Sequence, residues 1–344
     1  MKAVYLEEGA VNRGDISLAP ITEILDTKVY ENTTETDKFD HIGDAEVVFA
    51  NKIIFDEETF RQLPKLRYIG VCATGYNVID LDAAKRHGVR VTNVPAYSTE
   101  SVAQLAWGFI LECADHIGLH NLSVHQGDWI RSDTFCYWLA PVMELAGKTI
   151  GIVGYGNIGR RVAEIAQAFR MNVLVSTAHP EKYTTGLHKS DSGMENTSVA
   201  ENEPGFSNLA ETGSIRFVDT EELYALSDII SLHCPLVPET KEIIRKENIE
   251  KMKDGVIIIN VSRGGLVNEA DLADALQRGK VAAAAVDVVS TEPMLLDNPL
   301  LTAPNLRITP HMAWASVEAR RRLIRTVADN LLAYLAGEEK NVIA

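Results

Sequence analysis

The sequence predicts an α/β protein in two parts, one of them a doubly wound parallel sheet. Three observations carry that expectation. The chain has 344 residues, enough for about two domains of ordinary size. Short apolar runs alternate with helix-period segments in two separate blocks, and such alternation builds parallel sheets. The second block holds six strand-like runs, the number found in a doubly wound sheet.

In the first block the runs Ala3-Val4-Tyr5-Leu6, Ala45 to Ala50, Tyr68-Ile69-Gly70-Val71 and Val89 to Thr92 read as buried strands. Ile21 to Leu25, Glu57 to Gln62 and Asp80 to His87 read as the helices between them. This block predicts a smaller, flavodoxin-like α/β domain over residues 1–99. The chain returns to it with a last helix, Ser316 to Ala336, so that 315–344 belongs to it as well. Val317, Leu323, Ile324, Val327, Leu331 and Leu335 mark the buried side of that helix, and Arg320, Arg321, Arg322 and Arg325 read as solvated or ion-paired.

The second domain is predicted over 100–314. It opens with a helix from Glu100 to about Ala114, capped by Thr99, with Val102, Ala103, Ala106, Phe109, Ile110 and Cys113 at helical spacing. Gly127 to Pro141 has little periodicity but carries Trp129, Phe135, Tyr137 and Trp138, which suggests packing against another domain, a partner or a ligand. The strands that follow are Thr149 to Val153, Asn172 to Thr177, Ile229 to His233, Val256 to Val261, Ala283 to Val288 and Leu306 to Thr309. Helices fit at Asn157 to Phe169, Thr220 to Ala225 and Asn268 to Gln277, the last two behind the helix-start pairs Asp219/Glu222 and Asn268/Asp271. Residues 181 to about 213 break the rhythm with Ser, Thr, Asn, Glu and Gly and read as a surface insertion, in part disordered or holding a short hairpin.

Composition narrows the function classes. The formal net charge is −15, so neither nucleic acid nor an anionic membrane surface is expected to bind through bulk charge. No run of about 18 apolar residues exists, and the N-terminus turns acidic before a signal-like core could form; a cytoplasmic protein is expected. Cys72, Cys113, Cys136 and Cys234 show no Cys-x-x-Cys spacing, so no metal site is expected and they read as reduced, mostly buried small hydrophobes.

Gly154-Tyr155-Gly156-Asn157-Ile158-Gly159 follows a strand and opens a helix, the setting that makes Gly-x-Gly-x-x-Gly a dinucleotide fingerprint and the second domain a Rossmann domain. Gly154 permits the tight turn, Gly156 lets the backbone approach a pyrophosphate, and Gly159 allows helix and strand to pack closely. The carboxylate expected about 20 positions on is missing: Thr177 stands at the strand end, followed by Ala178 and His179. Without that charge NADP is admitted, and His179 or Lys182 could meet its phosphate. NAD is the favoured reading, because no arginine sits at the strand end.

Three polar motifs lie at the ends of later strands, where such sheets put their ligands. Arg263 follows Asn260-Val261-Ser262, Glu292-Pro293 follows Asp287, and His311 follows Thr309-Pro310. A guanidinium there can grip a carboxylate with two hydrogen bonds and polarise a carbonyl. His311 would protonate the oxygen as hydride reaches carbon, and Glu292 would favour its imidazolium form.

These motifs, with Leu232-His233-Cys234-Pro235-Leu236, resemble those of the D-isomer-specific 2-hydroxyacid dehydrogenases over nearly the whole chain. The resemblance implies catalytic Arg263, Glu292 and His311. It implies a substrate-carboxylate loop at Ala73-Thr74-Gly75, acting with Arg263 and His311. Besides the three glycines it implies cofactor contacts at Val102, Asn157, Ile158, Thr177, Cys234, Pro235, Val261, Ser262, Arg263, Asp287 and His311, with Asp287 meeting the nicotinamide carboxamide. Ala73 to Asn77, Tyr97 to Gln104, Phe135-Cys136-Tyr137-Trp138 and His311-Met312-Ala313-Trp314 are similar to the glycerate dehydrogenase (hydroxypyruvate reductase) branch. That branch implies reduction of hydroxypyruvate to D-glycerate, or of glyoxylate, by NAD(P)H. Other readings on the same fold are a co-repressor-like nucleotide sensor, or an enzyme acting on lactate, a branched 2-keto acid, formate or phosphite. The resemblance also implies a homodimer formed through the nucleotide-binding domain, with residues of about 105 to 147 in the contact.

Overall fold

The computed structural model describes residues 1–184 and 215–344. They form two compact units, Met1–Ser101 with Trp314–Ala344, and Val102–Ala313.

The first unit is built on β1 (Ala3–Tyr5), β2 (Thr27–Val29), β3 (Val47–Ala50), β4 (Tyr68–Val71) and β5 (Arg90–Thr92), all parallel, in the order β2-β1-β3-β4-β5. This is the flavodoxin-like order. Both faces of the sheet are covered, which is why β3 and β4 read as unbroken apolar runs. Val4, Phe60 and Ile69 pack on one side, and Tyr5, Phe49 and Leu323 on the other. Leu323 comes from the last helix, Val317–Ala336, which Ser316 caps by accepting from the Ala319 N–H at 3.2 Å and Gly337 ends at φ +75°. Its Arg320 is buried and donates to both oxygens of Asp15 at 2.7 and 2.6 Å.

The second unit carries β6 (Thr149–Val153), β7 (Asn172–Ser176), β8 (Ile215–Phe217), β9 (Ile229–Leu232), β10 (Val256–Asn260), β11 (Val281–Val286) and β12 (Leu306–Ile308), in the order β12-β11-β10-β9-β6-β7-β8. The chain lays β7 and β8 on one side of β6 and then returns to its other side with β9. That reversal at β6 and β9 is a topological switch point, where ligands of such sheets bind at the strands' carboxyl ends. Helices Thr99–Asp115 and Asn157–Ala168 cover one face through Ala106, Ile110, Val162 and Ala166.

Four features differ from the sequence reading. β2 and β8 are three-residue edge strands with exposed or half-exposed side chains, too short to show alternation. A helix, Ile117–His125, follows the one predicted from Glu100; its Ile117, Leu119, Leu122 and Val124 are exposed, so it has no apolar stripe to read. Glu181–Thr184 is helical, whereas the stretch from 181 to 213 was expected to be an irregular insertion; the rest of that stretch lies outside the described residues. Cys136 is exposed, unlike the other three cysteines, and all four are free thiols. Among the described residues no helix is long and apolar enough to cross a membrane, and no cluster of His, Cys, Asp and Glu could hold a metal.

Leu323 is fully buried under the first unit's sheet. Leu323→Ala should lower stability by about 2–5 kcal/mol, measured as an earlier urea transition of that unit.

Candidate active site

The glycine loop follows β6. Gly154 has φ +96°, and a Cβ there would come within 2.5 Å of the Cys234 nitrogen, so the position needs glycine twice over. A Cβ on Gly159 would run into the Gly154 carbonyl oxygen. Among the described residues, a Cβ on Gly156 would meet nothing within 4 Å, so space stands open above that residue. Gly156 is also the N-cap of helix Asn157–Ala168, and no side chain caps that helix. Its first-turn N–H groups find no acceptor among the described residues, which is the arrangement that suits an anion. Tyr155 packs edge-on against Tyr183 and Phe217 at 5.1 and 5.3 Å between ring centres.

The turn after β10 is tied down from several sides. Asn260, fully buried, donates from its amide to the Arg263 carbonyl at 2.9 Å and accepts from the Ser262 N–H at 3.1 Å. The Ser262 hydroxyl donates to the Cys234 carbonyl at 2.7 Å, joining this turn to the one after β9. A Cβ on Gly264 would overlap the Val289 carbonyl, so the β10 and β11 turns touch backbone to backbone. Arg263 is exposed, with one guanidinium N–H donating to the Ser262 carbonyl at 2.8 Å.

The turns after β11 and β12 meet around two carboxylates. Asp287 is 1% exposed and accepts from the Met312 and Ala313 N–H groups at 2.8 Å each, and from the Thr309 hydroxyl. It holds His311 between them at φ +52°, a left-handed conformation that a residue with a Cβ adopts at a cost. His311 Nδ1 lies 2.6 Å from Glu292 Oε2, and Glu292 Oε1 accepts from the Val289 N–H at 3.3 Å. A carboxylate on Nδ1 fixes the tautomer with the proton there and leaves Nε2 for exchange with a ligand. Glu269 steadies the same loop, accepting from the Ser290 N–H and hydroxyl at 2.6 and 2.9 Å and from the Asn298 amide at 2.8 Å.

In the first unit, Ala73-Thr74-Gly75 follows β4. The Thr74 hydroxyl donates to the Val94 carbonyl at 2.7 Å, and the Asn93 amide donates to the Thr74 carbonyl at 2.8 Å. The N–H groups of Ala73, Thr74 and Gly75 find no acceptor among the described residues, as an anion-holding turn requires. The neighbouring turn after β3 is fixed by Glu7, whose Oε2 accepts from the Asn51, Lys52 and Ile53 N–H groups at 2.8, 2.9 and 3.3 Å.

Comparison with known proteins fits this geometry. The family model for the NAD-binding domain of D-isomer specific 2-hydroxyacid dehydrogenases matches residues 107–203 and 192–313. A hydroxypyruvate reductase of Blautia hydrogenotrophica is 44% identical over 100% of this chain and 99% of its own. The chain belongs to the D-isomer specific 2-hydroxyacid dehydrogenase family. A glycerate dehydrogenase of Methylorubrum extorquens is 38% identical over 99% of this chain and 98% of its own. Among solved structures, D-lactate dehydrogenase from Escherichia coli superposes with a TM-score of 0.75 at 26% identity, each chain covered completely. An acyclic imino acid reductase in complex with NADPH and D-Arg gives 0.78 at 27% identity, again over 100% of both chains.

As a member of this family the chain is a dehydrogenase of 2-hydroxy acids, and its coenzyme is NAD or NADP. The open space over Gly156 and the uncapped helix behind it fit a dinucleotide's pyrophosphate. Val102, Cys234 and Val261 are buried, whereas Asn157 and Pro235 are exposed and Ile158 and Thr177 half-exposed. Two of the predicted cofactor residues have their side chains engaged within the dehydrogenase itself. Both Asp287 oxygens hold the His311 turn, and the Ser262 hydroxyl holds Cys234. Sequence reasoning passed over Asn260, Gly264 and Glu269, which fix the turns that carry Arg263 and Glu292. Only the glycine at 264, directly after the arginine, hinted at a close approach.

His233 was also missed as a site neighbour. It follows β9 and donates its N–H to the Val153 carbonyl at 2.7 Å, beneath the glycine loop. Its Nε2 lies 2.8 Å from the Ser231 hydroxyl, and its Nδ1 is buried without a partner among the described residues. Burial pushes the imidazole down from 6.5 to about 3, so the fold requires the neutral ring. The unfolded chain binds a proton below about pH 6.5 that the folded chain refuses. The ring's contribution is whole above that pH and is lost as pH falls toward 3. Urea titrations between pH 7 and pH 4 should show stability falling more steeply in the wild type than in His233→Asn, by about 1.4 kcal/mol per pH unit at most.

Proposed function

We propose that this dehydrogenase reduces hydroxypyruvate to D-glycerate, with glyoxylate as a second substrate, using Arg263, Glu292 and His311. The reading rests on one observation above the others. His311 is locked to Glu292 at 2.6 Å, on turns that adjoin the Arg263 turn in the sheet that carries the glycine loop. Relatives named hydroxypyruvate reductase and glycerate dehydrogenase, each matching nearly end to end, support the choice of keto acid.

The bound coenzyme supplies a hydride to the keto carbon. The chain's own groups do the rest. The first-turn N–H groups of Asn157, Ile158 and Gly159 hold the pyrophosphate, and Gly156 leaves it room. Arg263 carries a fixed positive charge on a turn made rigid by Asn260, and its planar fork suits a carboxylate and the adjoining carbonyl oxygen. His311 gives the proton at Nε2 to that oxygen as it becomes an alkoxide. Glu292 keeps Nδ1 protonated and balances the imidazolium before transfer. The free N–H groups of Ala73, Thr74 and Gly75 serve as a further carboxylate holder.

The protein acts as a homodimer in this proposal, through its second unit. Phe135 and Trp138 are 88% and 71% exposed, and Ile117, Leu122, Trp129 and Ile130 add to the same run of sequence. Apolar exposure of that kind marks a surface that a partner covers. The function is cytoplasmic and involves neither nucleic acid nor membrane, in keeping with the acidic balance of the chain.

With hydroxypyruvate and NADH or NADPH, the wild type should turn over. His311→Gln should lower kcat about 10²–10⁴-fold. Arg263→Lys should raise KM and lower kcat together, because an ammonium cannot reproduce the two-pronged grip on carboxylate and carbonyl oxygen. Steady-state kinetics check both. Light scattering should give twice the chain mass, and Phe135→Glu with Trp138→Glu should shift it to one.

A further inference from the structure

The turn Ala73-Thr74-Gly75 has two of its carbonyls held by the segment that follows β5. The Ala73 carbonyl accepts from the Val94 N–H at 3.0 Å, and the Thr74 carbonyl accepts from the Asn93 side-chain amide at 2.8 Å. In a trans peptide the carbonyl of one residue and the N–H of the next point opposite ways. The Thr74 and Gly75 N–H groups are therefore turned away from residues 93 and 94, and neither finds an acceptor among the described residues. The first of these two peptides is set by a backbone donor that continues the pairing of β4 with β5. The second depends on a side chain.

That side chain is itself built in. Asn93 is buried, its N–H donates to the Asn341 carbonyl at 3.2 Å, and its carbonyl accepts from the Asn330 amide at 2.9 Å. Asn330 is 2% exposed on the helix Val317–Ala336, and its side-chain oxygen accepts in turn from the Asn341 amide at 2.8 Å. The segment 341–344 is fixed to β5, the Val91 N–H donating to the Ala344 carbonyl and the Ile343 N–H to the Val91 carbonyl, each at 2.8 Å. Three asparagines thus join the helix and this segment to the turn after β4. Buried amides are costly unless their hydrogen bonds are met, and here the network that meets them ends on the Thr74 carbonyl.

We propose that Asn93 is a positioning residue for the substrate carboxylate: by donating to the Thr74 carbonyl it aims the Gly75 N–H and polarises the peptide that carries it. A donor on the carbonyl oxygen draws electron density from the peptide nitrogen, so the N–H on the far side becomes a better donor to an anion. The inference rests on the reading of Ala73-Thr74-Gly75 as a carboxylate holder.

Steady-state kinetics of the full chain with hydroxypyruvate, and inhibition by oxalate, a planar carboxylate that is not reduced, test it. Asn93→Ala should raise KM and the oxalate Ki about three- to tenfold, with a smaller change in kcat. Asn93→Asp keeps the shape of the side chain but donates only while its carboxyl is protonated, and burial moves the loss of that proton up in pH. Its oxalate Ki, divided by that of the wild type at the same pH, should climb from mildly acidic to mildly alkaline pH, whereas the ratio for Asn93→Ala should stay level. A role confined to packing would not follow that proton. Unchanged KM and Ki in Asn93→Ala, or a level ratio in Asn93→Asp, would overturn the inference and leave the dehydrogenase reading standing. If Asn93→Ala does not fold, the pH course of Asn93→Asp decides alone. A wild type that neither reduced hydroxypyruvate nor was inhibited by oxalate would refute the carboxylate reading itself.

Discussion

Asp287 is the constraint on which the candidate site depends. A carboxylate 1% exposed is stable only if its lone pairs are met, and here two backbone N–H groups and a hydroxyl meet them. Those donors come from the residues flanking His311, so the need to satisfy a buried charge holds the histidine at φ +52°. A strained backbone persists when its surroundings over-determine it, and Asp287 supplies that over-determination. With the backbone fixed, Glu292 has only to orient the ring.

The same device recurs around both sheets. Glu7 gathers three successive N–H groups of the turn after β3, and Glu269 gathers the Ser290 N–H and two side-chain donors of the turn that carries Glu292. Acidic side chains thus act as clamps on loops at the carboxyl ends of strands, where parallel sheets leave unpaired N–H groups. This explains how a chain of net charge −15 can be built to bind anions. In the proposed reading the attraction would be local, through first-turn N–H groups, turn N–H groups and a few placed cations, and would not depend on the field of the whole molecule.

Strand ends that carry chemistry are joined laterally rather than along the chain. Ser262 links the β10 turn to β9, the overlap barrier at Gly264 seats it against β11, and Thr309 with Met312 and Ala313 ties β12 to β11. Each contact spans neighbours in the sheet order. A disturbance at any of these turns would reach the residues proposed for proton transfer without touching them.

The sequence by itself determined the two parallel sheets, because near-continuous apolar runs separated by amphipathic helices admit little else. It also determined the phosphate loop, in which Gly154 and Gly159 each answer a local steric need. Only the tertiary structure decided what lies beside what. The edge strands β2 and β8 are three residues long and carry no periodic signal. The helix Ile117–His125 exposes its apolar residues, so no stripe announces it. The resemblance makes Asp287 and Ser262 cofactor contacts, and the structure adds that both tie neighbouring turns together. Periodicity is a property of neighbours along the chain. Which carboxylate meets which N–H group across a sheet is set by strand order, and no spacing in the sequence records it.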